Sequence, residues 1–558
     1  MPKKEAGVEL IKYFAEGIKY MTSGVETKET ELKNDENVNE GQSASRGISN
    51  CRIALISLYD LENNAVRLMA ALLRKHGFYV AEIYFKDWKN NFFSPPTYSE
   101  LKNLIKLLKE KKINIASISL RASAYLNVAV QITQMIRKET GLPVIWGGTH
   151  VILCPDESIQ TADITCVGEG EFALLELCER LGKGEPLESI TDINNLWFRK
   201  GDKIIKNPLS NLVEDLDIFP FRDYTSVDKY QIFEDKIQQG DPMINDPIFQ
   251  IITSRGCPYH CAYCYNSTLR KIYNGLGKYY RTRSVDNVIE ELKLAKKTFL
   301  NLKRIKFDDE VFNFKEDWVA EFREKYKKEI DLPFECFTEP KLVTKERFKL
   351  MKEAGLQIVF MGIQNSFRIT EELYDRNVPE EKIKEAAAIL YDLKLDARYQ
   401  VILDDPLSIT EDKERLFKLL MSFKRPFELY LFSLTIFPNT EVARKLLEQG
   451  IITEDQIEGK DTKTFRQLRV DLAYPREPED QYWAALLVLL TKNFIPKSLL
   501  WKFYNNRNLR KNPGTLVFLA QMSNFIKMAF VAAGMLFRGE LTWTAFRRWM
   551  NMKSMITQ

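Results

Sequence analysis

The stretch "SRGCPYHCAYCYNS", Ser254 to Ser267, puts three of the chain's eight cysteines, Cys257, Cys261 and Cys264, within eight positions. Glycine and proline stand at its front and aromatics are interleaved. Four thiolates close a tetrahedral zinc site or saturate an iron–sulfur cubane. Three on one loop suit a [4Fe-4S] cluster in which each cysteine holds one iron and the fourth iron stays open to a small molecule. A structural zinc site would need a fourth ligand. His260 is the local candidate, but it directly precedes Cys261, and two adjacent residues can hardly close on one ion.

The surroundings of the loop set its fold. The run "IFQIITS" (248–254) leads into it, and "RIKFDDE", "FECFTEP", "IVFMGIQ", "ARYQVILDD" and "LYLFSLTIF" follow, each preceded by a stretch of helical period. Six strand–helix steps fall short of the eight of a closed barrel, so the expectation is a partial, open (β/α)6 barrel over residues 246–450. Upstream, "RIALISL", "YVAEIYF", "NIASISL", "PVIWGG" and "DITCVG" alternate with amphipathic segments from Cys51 onward. That alternation predicts a parallel, doubly wound α/β domain over 51–190, whose ligands would sit beyond the carboxyl ends of its strands. Residues 191–245 read as a connector and 1–50 as a tail or linker, polar from Thr27 to Asn50 and with a stretch of helical period, "VELIKYFAEGIKYM", before that.

Residues 451–558 read as a small, mainly helical C-terminal domain. Its segment Thr515 to Phe537 is the most apolar of the chain, but Gln521, Ser523, Asn524 and Lys527 interrupt it, whereas a spanning helix needs about 20 predominantly apolar residues. The segment reads as a packed helix, or as a surface that docks on a membrane or a greasy substrate.

Composition narrows the partners. With 45% hydrophobic residues the chain can bury several cores, and 81 Lys and Arg against 77 Asp and Glu leave only +4 net charge, too little field to make nucleic acid a principal partner. No apolar leader with a small-residue cleavage site opens the sequence, so the expectation is a cytoplasmic protein with reduced thiols, one that is membrane-associated if its C-terminal segment docks. Clustered cysteines are then metal ligands rather than disulfides. Cys51, Cys154, Cys166, Cys178 and Cys336 are scattered and read as small buried hydrophobes, although Cys336, on a barrel strand, could face the cavity.

The spacing Cys-x3-Cys-x2-Cys, with Tyr263 before the last cysteine and a barrel's first strand before the loop, resembles the radical S-adenosylmethionine (SAM) superfamily. The resemblance implies that the open iron of the cluster at Cys257, Cys261 and Cys264 chelates SAM and that reduction cleaves it to methionine and a 5′-deoxyadenosyl radical. Tyr263 would lie against the adenine. Asp308, Asp309 and Glu310 stand where relatives bind the methionyl amine, and Gln364 occupies a position where relatives usually carry Glu. Arg281 and Arg283, in "YRTRSVDNVIEEL", read as helix-start charges or as anion contacts.

A doubly wound domain just before such a barrel resembles the cobalamin-binding subclass. In that resemblance Gly147 and Gly148 let the backbone approach the corrin or its tail, and Gly168, Glu169 and Gly170 form the next turn. Many such domains carry Asp-x-His-x-x-Gly after the first strand, whereas here the stretch reads "LYDLENNAVRLM". Either cobalamin binds without a protein imidazole, or the fold survives without it.

Three functions follow as expectations. The first is a cobalamin-dependent methyltransferase acting on an unactivated carbon. The second is a radical cyclase, carbon–carbon coupling or rearrangement enzyme, on a lipid for instance. The third is an electron-transfer or redox-sensing iron–sulfur protein. The implied partners are a small-molecule or lipid-like substrate and a flavodoxin- or ferredoxin-type electron donor.

Overall fold

The computed structural model describes residues 51–87, 94–312, 315–457, 472 and 476–537. The expected tail and the stretch "VELIKYFAEGIKYM" lie outside the described residues. The five upstream runs form parallel strands β1 (Arg52–Leu58), β2 (Tyr79–Phe85), β3 (Ile115–Ser119), β4 (Val144–Gly147) and β5 (Ile164–Cys166). They are apolar almost throughout because helices cover both faces. Ile56, Ile83, Ile118 and Trp146 pack on one side, and Ile53, Leu55, Val80 and Ile145 on the other. The connecting helices start where side chains satisfy their first amides. Asn63 accepts from Val66 N ahead of helix Asn64–Lys75, and Thr97 with Glu100 forms a reciprocal cap on Tyr98–Glu110. β1 lies between β2 and β3, so the winding reverses there, and a doubly wound sheet opens its ligand crevice at that reversal.

The expected connector is a correction. Residues 191–245 contribute β6 (Leu196–Lys200), β7 (Lys203–Lys206), β8 (Lys229–Phe233) and β9 (Lys236–Gln239), which widen the sheet to nine strands in the order β7-β6-β5-β4-β3-β1-β2-β8-β9. β6 runs antiparallel to β5, and β8 parallel to β2. "KIIK" and "KIQQ" are short, lysine-bearing and largely exposed, as edge strands tend to be, so they carry no apolar alternation to read.

The second series begins with β10 (Ile248–Ile251) and a short antiparallel pair, β11 (Ser254–Arg255) with β12 (Arg281–Thr282). It continues through β13 (Arg304–Phe307), β14 (Phe334–Thr338), β15 (Leu356–Gln364), β16 (Asp396–Asp404) and β17 (Glu428–Ser433). β10 and β13 to β17 form one parallel six-stranded sheet in chain order, the expected open barrel. Its helices are held by aromatic packing: Phe307 and Phe334 meet edge to face at 5.3 Å and both meet Phe322 of helix Glu316–Glu329. Cys336 is fully buried on β14.

The described residues up to 472 form one compact unit, so Ile452 and Ile457 belong to the barrel's core rather than to the C-terminal domain expected from 451. Residues 476–537 form a second unit of helices Pro478–Leu490, Lys497–Tyr504, Arg507–Lys511 and Gly514–Phe537. Tyr482, Trp483, Leu500 and Leu516 are buried there. Among the described residues no helix is long and apolar enough to cross a membrane.

Candidate active site: a cysteine loop facing glycine turns

The cysteine loop is fastened at its start by Asp309, which follows β13. Its carboxylate accepts from Thr253 N (2.8 Å), Thr253 Oγ1 (3.0 Å), Ser254 N (2.6 Å) and Ser254 Oγ (2.6 Å). These four donors make Asp309, which also lines the cavity beside the loop, an anchor of the loop's start. Gly256 has φ +78°, and a Cβ there would stand 2.4 Å from the Tyr279 carbonyl oxygen, so only glycine turns the chain toward Cys257. Downstream, Ala262 N donates to Tyr374 O at 2.8 Å and Cys264 N to Cys261 O at 3.0 Å, after which helix Tyr265–Ile272 begins.

The three cysteines are partly buried. Burial pushes the Cys257 and Cys264 thiols up to about 12 and raises Cys261 as well, so only a bound metal centre would hold all three as thiolates. Three soft donors on one tight loop, with the loop's only histidine, His260, exposed, fit an incompletely ligated iron–sulfur cluster and do not complete a zinc site.

The residues expected to hold SAM divide into two groups. Asp308 and Glu310 line a cavity beside the loop. Asp308 pairs with Lys306 at 2.8 Å, and Glu310 accepts from Tyr265 OH at 2.6 Å. Tyr263 and Gln364 are outside that cavity's lining. The Tyr263 ring packs 4.7 Å from Tyr374, whose hydroxyl donates to Asp405, and Gln364 ends β15 at a bulge with φ +73°. Sequence reading missed Arg376, a buried guanidinium that donates to Gly362 O at 2.7 Å and whose charge acts on both Cys261 and Tyr263. It lies in an ordinary-looking turn, "YDRNVPE", with no motif to mark it.

The same cavity is closed from the other side by the N-terminal sheet. Its volume is about 440 Å³, and Gly147, Gly148, Gly168, Glu169 and Gly170 all lie on its wall. Not every glycine is there for a ligand. Gly148 has φ +107° and a Cβ would stand 2.8 Å from Leu120 O, while at Gly168 it would meet the Asn195 side chain at 2.8 Å. At Gly147 the nearest neighbour is Cys166 Cβ at 3.6 Å, so the backbone there is bare toward the cavity without being forced by the fold. No histidine is on the wall: His76 caps a helix and His150 points elsewhere. Bare glycine backbone with no histidine beside it suits the face of a corrinoid held without a protein imidazole.

Glu169 has charged partners of its own. Arg281 reaches it with two bonds, at 2.6 and 3.1 Å, and Arg255 stands at 3.3 Å. Burial works against its charge, but the two guanidiniums overcome it and hold the carboxyl below the usual range. Glu169 therefore ties the sheet domain to β11 and β12 from its place on the cavity wall. Arg281 is correspondingly an interdomain ion-pair partner and not a helix-start charge, whereas Arg283 pairs with Glu291 at 2.5 Å within the barrel.

A third tie is Arg222, which donates to Glu62 (3.2 Å), Glu291 (2.9 Å) and Gln250 O (2.7 Å). Glu62 is buried, and desolvation pushes its carboxyl up to about 7 against the pull of Arg67, Arg222 and the Tyr224 hydroxyl, with Asp60 adding to the rise. An acid raised from 4.5 binds its proton more tightly in the folded state, so its contribution to stability is present below about pH 4.5 and is lost as pH climbs through 7. Across that window the loss is at most about 1.4 kcal/mol per pH unit. Glu62→Gln is expected to flatten the pH dependence of the urea midpoint between pH 5 and 8. Asp309, pushed up to about 6 by burial, contributes the same sign and persists in the variant. An unchanged pH slope would contradict the assignment.

Comparisons with known proteins agree with this geometry. The family model for the radical SAM superfamily matches residues 251–420, and that for the B12 binding domain matches residues 53–178. The chain carries the two domains that define the cobalamin-binding-domain-containing subclass of the radical SAM superfamily. It is 28% identical over 295 residues to an uncharacterised methyltransferase of Pyrococcus horikoshii, a match that covers 51% of this chain and 59% of that protein. It is 22% identical over 432 residues to the cytidylyl-2-hydroxyethylphosphonate methyltransferase of Streptomyces wedmorensis, covering 70% and 78%. Its fold is similar to that of the radical SAM methyltransferase TsrM from Kitasatospora setae, solved with cobalamin and a [4Fe-4S] cluster bound. That likeness has a TM-score of 0.57 at 17% identity, covering 72% of this chain and 78% of that one.

Proposed function

We propose that the chain is a cobalamin-dependent radical SAM methyltransferase that methylates an unactivated carbon. The observation that carries this reading is the shared cavity: carboxylates beside the cysteine loop and the bare backbone at Gly147 border one space. When bound, the cluster with SAM supplies a radical that removes hydrogen from carbon, and cobalamin supplies the methyl group. The chain's own work is positioning. Asp308 and Glu310 offer negative charge to the ammonium of SAM, while Tyr263 as an aromatic wall for the adenine and Gln364 as a neutral hydrogen-bond partner would act from outside this cavity's lining. Glu169 with Arg281, and Arg222 with Glu62 and Glu291, hold the two halves at a fixed separation, so that two bound groups react across one cavity. The division of labour runs over residues 51–245 and 246–474.

The test is substrate-independent. Anaerobically loaded protein, reduced and given SAM with a trideuterated methyl group, is expected to form S-adenosylhomocysteine as well as 5′-deoxyadenosine, and to place the labelled methyl in a product when cell extract is added. 5′-Deoxyadenosine without S-adenosylhomocysteine would overturn methyl transfer and favour cyclisation or coupling. Neither product, with the cluster intact, would favour electron transfer.

The electron source fits a low-potential flavodoxin or ferredoxin, and the substrate a small or lipid-like molecule reached from the cytoplasmic side of a membrane. On helix Gly514–Phe537, Phe518, Met522 and Phe525 are exposed along one face and Phe530 is exposed near its end, and Phe494 and Trp501 are exposed before it. Lys497, Lys502, Arg507, Arg510, Lys511 and Lys527 accompany them, and no Asp or Glu occurs from 481 to 537. Aromatics with cations at this density suit an anionic lipid surface. Flotation with phosphatidylglycerol vesicles is expected to carry the protein up. Phe518→Asp with Phe525→Asp should reduce binding about 10-fold, as each charge opposes apolar insertion. Equal binding of the variant, or none by the parent, would refute the contact.

A further inference from the structure

His150, Cys154 and Glu157 stand at positions i, i+4 and i+7 across helices Thr149–Leu153 and Pro155–Thr161, and their ligand atoms lie within 4.8 Å of one another. His150 is 2% exposed, and its ring is pinned through Nδ1, 2.9 Å from Ser123 Oγ. Its Nε2 has no hydrogen-bond partner and points toward Glu157, whose Oε2 is 3.9 Å away. An imidazole nitrogen buried without a partner costs about 1–3 kcal/mol, and native folds rarely leave one so. Asn439 Nδ2 donates to Leu153 O at 2.6 Å and stands 3.9 Å from Cys154 Sγ, where an N–H would favour a thiolate. Beyond the three residues opens a cavity of about 620 Å³, separate from the one described above, with Thr268, Lys271 and Glu441 on its far wall.

We propose that His150, Cys154 and Glu157 bind a divalent transition-metal ion, zinc by the character of the donors, with a fourth position open to this second cavity. One imidazole, one thiolate and one carboxylate form a mixed set that zinc takes at about 2.0–2.3 Å, so closing the present separations needs movement of roughly 1 Å. Ser123 acts as the outer partner that such a histidine ordinarily has, accepting from Nδ1–H so that Nε2 presents its lone pair. The ion would complete Nε2 and brace the helices after β4 against the Asn439 turn and helix Tyr265–Ile272, which begins directly after Cys264. The site stands apart from the reaction proposed above and holds whether or not methyl is transferred.

The experiment is metal analysis of the full chain, purified anaerobically from cells supplied with iron and zinc, combined with zinc K-edge X-ray absorption. About one zinc per chain with a single sulfur neighbour near 2.3 Å is the expected result. His150→Gln and Cys154→Ser should each lower zinc retention against a chelator by at least about 10-fold. Glu157→Gln, at a half-exposed position where folding is not at issue, should weaken it in the same direction. Replacing all three loop cysteines should leave the zinc in place. Zinc at background level in the parent, three sulfur neighbours, or retention unchanged in Cys154→Ser would overturn the proposal.

Discussion

Alanine at any one of Cys257, Cys261 and Cys264 is expected to lower 5′-deoxyadenosine formation by at least about 1000-fold and to bring iron well below about four per chain, because each thiolate holds its own iron. The loop should survive the change. Its start is fixed by Asp309 and Gly256, its middle by the Ala262 amide on Tyr374, and its end by the helix after Cys264, none of which uses a sulfur. Far-UV circular dichroism should therefore be unchanged while the iron–sulfur absorbance disappears. Cys336→Ala is the internal contrast: a fully buried strand residue, it should cost stability and leave the iron in place. Iron content and SAM cleavage that persist in any single loop variant would remove the basis of the functional reading.

The largest effect on stability is expected at Asp241. Its carboxylate takes two bonds from Arg67, at 2.6 and 3.1 Å, and one from Lys229 at 2.8 Å, and all three side chains are completely buried. Truncation to alanine leaves two cations in the interior, with Glu82 and Asp223, 3.7 and 3.9 Å from Lys229, as the nearest remaining anions of that lysine. Breaking such a group by removing one partner typically costs about 3–5 kcal/mol. Most of that is the penalty of the charges left behind rather than the strength of the original bonds. The urea midpoint of the sheet domain should fall accordingly. Combining Asp241→Leu with Arg67→Met and Lys229→Met should recover much of the loss. A change within about 0.5 kcal/mol for Asp241→Ala, the range of ordinary surface substitutions, would show that water reaches this cluster.

What the sequence made legible were features carried by neighbouring residues. The cysteine spacing, the glycine turns and the apolar strands each occupy a few consecutive positions, and parallel strands buried on both faces have no alternation to blur them. Features made by distant residues were not legible. Glu169 and Arg281 are 112 residues apart, and Arg222 stands 160 from Glu62 and 69 from Glu291. A carboxylate in a ligand turn looks the same whatever it meets, so the bonds that Glu169 and Asp309 make to the scaffold could not be read from the sequence. Cys154 read as a small buried hydrophobe and His150 drew no role, because a lone histidine and a lone cysteine are ordinarily core residues, and only burial without a partner for Nε2 sets His150 apart.

The way β6 to β9 flank the central strands bears on synthesis. β2 leaves the ribosome roughly 140 residues ahead of β8, the strand that covers its edge, which at about 5–20 residues per second is a delay of about 7–30 s. During that interval the nascent chain presents an uncovered hydrophobic strand able to pair with another copy. Expression that slows elongation, or any fragment ending near residue 190, should therefore favour inclusion bodies, and chaperone supply during translation should matter more to yield than the stability of the finished protein.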